Sequence, residues 1–171
     1  LVVAVPAEPS TLFPPQVTGT QGGAVVSALF DRLAEIGPAL ETYGDAGFQP
    51  RLATSWSWAA DSLSIAFALD STARWHDGAP VRAADVVYTY RAYTNDSIGA
   101  ELRSLLGNID SVTARDVRTA VFWFKRRMPQ QFYDATYAMY ILPSHLLDTI
   151  PMAQVGRAPF ARQPVGTGRF R

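Results

Sequence analysis

Residues 63–88 constrain this chain more than any other segment, because they prescribe a strand, a tight turn and a helix in immediate succession. Leu63, Ile65, Phe67 and Leu69 alternate with Ser64, Ala66 and Ala68, which is the period of a strand with one apolar face. Asp77-Gly78 follows as a turn, since glycine accepts the positive φ that tight turns require. Over 83–93 the period changes to a helical one, with Val86, Val87, Tyr90 and Tyr93 available to one face. Arg82 occupies the position before this helix and carries no side-chain acceptor for the first amides. That leaves Asp85, in the first turn, to favour the helix through its dipole.

The flanking sequence supplies partners for this unit. Trp56 and Trp58 begin an alternating run that meets Leu63 through a hairpin at Ala60-Asp61-Ser62. A second strand pair is expected over 109–114 and 119–125, turning at Arg115-Asp116. Val121 and Trp123 lie on one face of its second strand and Phe122 and Phe124 on the other, so that strand is expected to be central and covered on both faces. Helices are expected over 100–106, 130–137 and, started by Pro143, 143–147. At the other end, 1–5 reads as a buried strand closed by Pro6, Pro9, Pro14 and Pro15. From Gly22-Gly23 the spacing of Val25, Val26, Leu29, Phe30 and Leu33 predicts a helix stopped by Gly37-Pro38, with Leu29 and Leu33 inward. The turn-forming stretch 38–50 follows. The fold class is mixed α/β of the α+β kind.

Composition excludes several functions. Fifteen basic residues balance fifteen acidic ones, so no net field gathers nucleic acid or anionic lipid. The chain has no cysteine, which removes disulfides, thiolate zinc sites and a cysteine nucleophile. His76 and His145, the only histidines, have no carboxylate at helical ligand spacing and read as structural. Ser55, Ser57 and Ser144 lie in no nucleophile motif, and Ser144 and His145, as helix-start neighbours, should point apart. Gly166-Thr167-Gly168 and Gly19, Gly22 and Gly23 complete no phosphate loop and read as places of close backbone approach or unusual φ. Lys125-Arg126-Arg127 reads as a solvated strand end, and Trp56 and Trp75 as core.

Taken in order, Ala66-Phe67-Ala68-Leu69, Arg74-Trp75-His76-Asp77-Gly78-Ala79-Pro80-Val81 and Ala84-Asp85-Val86-Val87-Tyr88 resemble the signature of the family 5 extracellular solute-binding proteins, the peptide- and nickel-binding receptors of ABC importers. The likeness continues in Ala28-Leu29-Phe30-Asp31-Arg32-Leu33, in Pro50-Arg51-Leu52-Ala53-Thr54-Ser55-Trp56, in Ile141-Leu142-Pro143-Ser144-His145 and in Pro164-Val165-Gly166-Thr167-Gly168. Arg169 stands where the family usually has proline, and Arg82 where it usually has a capping Thr or Asn.

The resemblance implies a class II periplasmic-binding-protein-like fold of two lobes closing over a ligand, with a further domain inserted near the N-terminus. On that pattern 1–34 is the first segment of lobe I, 35–160 the inserted domain and 161–171 the return into lobe I. The second lobe is expected to lie in a longer parent protein, and a signal peptide or lipoprotein leader to have preceded Leu1. The implied function is the periplasmic or cell-surface binding component of an importer, which binds small peptides by their backbones and delivers them to a membrane permease. Val17, Thr18, Gly19 and Thr20 are the implied ligand contacts, with no catalytic residue, metal, cofactor or nucleic-acid partner and a monomeric state. Nickel, haem or oligosaccharide ligands, or a sensory domain of a regulator, are the alternatives within the fold.

Overall fold

A computed structural model describes residues 9–171, and the strand expected over 1–5 lies outside the described residues. The first long element is helix α1 (Gly19–Leu29), preceded by a 3-10 turn at Pro14–Gln16. It starts three residues earlier and ends four residues earlier than its apolar spacing suggests. The early end has a tertiary cause. The carbonyl of Leu29 accepts the amide of Gly168 at 2.9 Å and that of Ala28 accepts Phe170 at 3.3 Å, so these acceptors serve a distant segment instead of a further helical turn. Leu33 is fully buried, but beyond the helix, where its carbonyl accepts Arg51 and Ala53 amides.

Two short strands follow, β1 (Ala34–Ile36) and β2 (Phe48–Pro50), paired antiparallel with Ile36 opposite Phe48. The main sheet consists of β3 (Ala53–Trp58), β4 (Ser64–Leu69), β5 (Ile109–Asp116) and β6 (Thr119–Phe124), in the spatial order β3-β4-β6-β5 and antiparallel throughout. The β3–β4 hairpin turns at the expected place. Ser62 takes a positive φ of 56° there, and Asp61 accepts the Leu63 amide on its side chain. The β5–β6 hairpin turns slightly later than expected, after Asp116, which caps the loop by accepting the Arg118 amide at 2.7 Å.

One face of this sheet carries the core. Ile65, Phe67 and Leu69 of β4 and Ala120, Phe122 and Phe124 of β6 are buried there. Phe132, from α3 (Gln131–Thr136), places its ring centroid 4.8 Å from Phe48, 4.9 Å from Trp56 and 5.7 Å from Phe67. Each such fully buried ring contributes about 2–3 kcal/mol of transfer free energy. The indoles of Trp56 and Trp58 send their N–H groups to one carboxylate oxygen of Asp45, at 2.8 and 3.0 Å, so both rings pack while their polar tips are satisfied.

The other face corrects the expectation of double cover. β6 is an interior strand of the sheet and Val121 on this face is buried, yet Trp123 is 45% exposed, as are Ser55, Ser57, Ala68 and Thr113 on the same face. The Trp123 indole reaches across to β5 and donates to the Thr113 hydroxyl at 3.1 Å, so no second layer is needed to satisfy it.

Helix α2 (Ala83–Thr94) lies along β5 and β6, and its buried residues include Val86, Tyr88, Ala92 and Tyr93. The short helix expected over 100–106 forms over 101–108 and is of the 3-10 kind. The short helices α4 (Ser144–Leu147) and α5 (Met152–Val155) and a 3-10 turn at Pro159–Ala161 lead back to the N-terminal part. There Phe160 packs its ring against Phe13 and Phe30, and Leu12 donates to the Ala161 carbonyl at 2.9 Å.

Candidate ligand-binding site

The strand–turn–helix motif is a fully wired joint. Trp75 and Gly78 close the turn by backbone bonds, with Gly78 at φ 90°, and Asp77 accepts the Ala79 amide at 3.0 Å. Asp85, 2% exposed, accepts four hydrogen bonds: Arg82 N and Trp75 Nε1 on one oxygen, Ser144 N and Ser144 Oγ on the other. The missing N-cap acceptor at Arg82 is thus offset by Asp85 reaching back to the Arg82 amide, half of a capping box. Asp85 also pins α4 to α2.

His76 completes the joint. It accepts the Gly166 amide on Nδ1 at 3.2 Å, so its hydrogen is on Nε2, which donates to the Gly168 carbonyl at 2.8 Å. A Cβ on Gly166 would overlap the Leu29 carbonyl and one on Gly168 the Ala28 carbonyl, so both glycines serve close backbone approach, as their spacing suggested.

Ser144 and His145 do not form a nucleophile–base pair. The Ser144 hydroxyl is held by Asp85, whereas His145 Nε2 meets Asp77 Oδ2 at 2.7 Å. Partial burial pushes the Asp77 carboxyl up, but bonds from His145 and Ala79 outweigh it and hold the group below its ordinary range.

Val17, Thr18, Gly19 and Thr20 have a different character. Val17 and Thr18 are extended, and Gly19 turns into α1 with φ 78°, a conformation that a side chain would strain. Thr18, at the N-cap, makes no side-chain bond to the helix, so the first-turn amides of α1 have no acceptor among the described residues, and Thr18, Gly19 and Thr20 are exposed. These residues line a cleft of about 300 Å3 together with Pro9, Ser10 and Gly22. Free amides at the positive end of a helix suit a carbonyl or carboxylate oxygen. Gly22 supports the arrangement, because a Cβ there would sit 2.8 Å from Val17 Cγ1 and push the segment away.

Behind Val17 is a second cavity of about 230 Å3, bordered by Gly23, Val26, Arg32, Tyr93 and Tyr140. The Arg32 guanidinium is sandwiched, 3.8 Å from the Tyr137 ring centroid and 3.9 Å from that of Tyr140, with Glu35 at 3.5 Å from Nη1. Its Nε is buried without a hydrogen-bond partner among the described residues. Burial pushes the Tyr93 and Tyr140 phenols up, so both act as neutral hydrogen-bonding groups. Arg32 lies about a hundred residues before Tyr137 and Tyr140, so no local spacing records the sandwich.

Comparison with known proteins agrees with the fold. The profile described as "Bacterial extracellular solute-binding proteins, family 5 Middle" matches residues 47–171. A Brucella ovis protein provisionally named an ABC transporter peptide-binding protein is 34% identical over 121 residues, 70% of this chain and 23% of the relative. The periplasmic alpha-galactoside-binding protein of Rhizobium meliloti is 29% identical over 138 residues, 76% of this chain and 20% of its own length. Among solved structures, the oligopeptide-binding protein AppA of Bacillus subtilis in complex with a nonapeptide superposes with a TM-score of 0.85 at 24% identity, covering 96% of this chain and 32% of AppA. The chain therefore spans about a quarter of the length of the curated relatives it matches and a third of that structure. With the profile matching well over half its residues, the chain belongs to the family 5 bacterial extracellular solute-binding proteins.

Proposed function

We propose that this chain is part of the extracytoplasmic binding component of an ABC importer and that it takes an extended peptide. The observation that carries the reading is the uncapped, exposed start of α1 at Thr18, Gly19 and Thr20, open to a cleft and backed by the Arg32 cavity. Backbone amides there donate to a peptide carbonyl irrespective of sequence, and the adjoining cavity receives a side chain. The names of the Brucella ovis relative and of AppA support a peptide. Val17 contributes its extended backbone, and Gly19 and Thr20 the first helical amides.

The division into 1–34, 35–160 and 161–171 belongs to the same proposal. It is supported by the backbone bonds that return Gly168 and Phe170 to Leu29 and Ala28, and Ala161 to Leu12. A second lobe supplied by a longer parent would close the cleft, and the closed, monomeric receptor would dock on a membrane permease from the periplasm or, as a lipoprotein, from the cell surface. Among the described residues no helix is long and apolar enough to cross a membrane. Binding, not catalysis, is the proposed activity.

Calorimetry of the full-length protein with di- to pentapeptides, nickel and an alpha-galactoside tests the ligand class. Heat with peptides is expected, and no heat with any peptide overturns that class. The alpha-galactoside arm follows from the Rhizobium meliloti relative. The 171 residues alone should bind no peptide at micromolar strength, because a single face cannot offset the cost of ordering a flexible ligand.

A further inference from the structure

A cavity of about 610 Å3 shares no residue with either cleft above. It lies where the 3-10 helix 101–108, the end of β6 and α3 meet, and its wall includes Asn108, Tyr133 and Asp134. Two of its acceptors are unmatched. Asp134 is 8% exposed, and among the described residues neither of its carboxylate oxygens accepts a hydrogen bond. Asn108 donates its side-chain amide to the Arg126 carbonyl at 3.0 Å, while its Oδ1 is buried without a partner.

One nearby donor is engaged elsewhere: Lys125 Nζ donates to the Gly107 carbonyl at 2.9 Å. Burial pushes the Asp134 carboxyl up to about 6, and no neighbouring cation pulls it back. Native folds seldom leave buried acceptors unmatched, and a desolvated carboxylate is costly without a charged partner.

We propose that this cavity binds a small primary alkylammonium ion, whose N–H groups are received by Asp134 and by Oδ1 of Asn108. An ammonium offers three donors and one positive charge, which matches one carboxylate and one amide oxygen. The Tyr133 ring provides a face for the cation, and Leu105 and Met128 an apolar wall for its methylenes. Lys125 and Arg126 at the rim are exposed cations that disfavour a second positive charge, so the site selects monoamines over polyamines.

The test is a titration of the full-length protein with n-butylamine, 1-butanol and 1,4-diaminobutane at neutral pH, followed by side-chain amide NMR and calorimetry. Saturable binding of n-butylamine at about millimolar strength, with a shift of the Asn108 amide resonance, is expected. Asp134→Asn should weaken it by about tenfold or more, and Asn108→Asp, which adds a carboxylate without needing Asp134 altered, should tighten it by about tenfold. The proposal is overturned if 1-butanol or 1,4-diaminobutane binds as well as n-butylamine, if Asp134→Asn binds unchanged, or if Asn108→Asp fails to tighten binding. These readouts are independent of peptide heat.

Discussion

Asp85 and Asp134 are both buried aspartates of one domain, and they are treated in opposite ways. Asp85 receives four donors from three segments, whereas Asp134 receives none among the described residues. Both residues are buried, but the Asp134 carboxylate borders a cavity open to solvent whereas that of Asp85 is enclosed by its donors. The distinction lies in hydrogen-bond supply, and it separates a residue that builds the fold from one that waits for a partner. The same contrast holds between the motif around Trp75 and the start of α1. In the motif nearly every polar group is answered within the protein. At Thr18, Gly19 and Thr20 the first-turn amides find no acceptor among the described residues.

The comparison is broken most severely by removing the satisfied carboxylate. Asp85→Ala strands the indole N–H of Trp75, the Arg82 amide and both Ser144 donors, and should cost about 3 kcal/mol or more, read as a lower urea midpoint. A loss under about 1 kcal/mol would show that water replaces the carboxylate and that the joint is not structural.

Gly166→Ala comes next. Its Cβ must displace the Leu29 carbonyl, and the expected cost is about 2 kcal/mol, with α1 freed to extend toward Leu33. Thermal melts and the helical circular dichroism signal check both parts.

Asp134 should behave with the opposite sign. Its folded carboxyl titrates at about 6, above the ordinary value of 3.8, so the protonated form is the stabilising one. That stability is complete below about pH 4 and is lost as pH rises through 6. The loss should be on the order of 1 kcal/mol, less than full burial would give because the cavity is open to solvent, and Asp134→Asn should remove it. Lys125, Arg126 and Tyr133 share the cavity wall and remain in place in that variant. Denaturant midpoints at pH 4.5 and 7.5 for both proteins decide the matter.

The smallest effect belongs to the half-exposed pair of His145 and Asp77. His145→Ala should cost no more than about 1 kcal/mol at neutral pH. Because Asp77 titrates below its ordinary range, its share is present at neutral pH and lost as pH falls through that depressed value. A double-mutant cycle with Asp77→Asn measures it.

The parts that sequence made legible are those whose causes are local. The β3–β4 hairpin, α2, the β5–β6 pair and α3 follow from short periods and turn residues, and the bend at Asp77-Gly78 from glycine's tolerance of positive φ. Where distant segments decide, the period misleads. Leu33 continues the spacing of Val26 and Leu29, yet α1 stops at Leu29 because Gly168 claims its carbonyl. The strand that carries Trp123 reads as covered on both faces, yet Trp123 itself is exposed and satisfies its indole through Thr113. Val17, Thr18, Gly19 and Thr20 became candidates only through family likeness. The Arg32 sandwich and the unmatched Asp134 depend on juxtapositions that no spacing records.

The grip of His76 on Gly166 and Gly168 also bears on how the chain reaches its final form. Ninety residues separate His76 from Gly166, so closing that loop carries a larger entropic cost than any hairpin of the sheet. During synthesis β3, β4 and α2 can assemble while the imidazole still lacks its partners. The joint should therefore be the last part of the domain to lock and the first to open. Substitutions at Gly166 should then accelerate unfolding while leaving the rate of sheet formation unchanged.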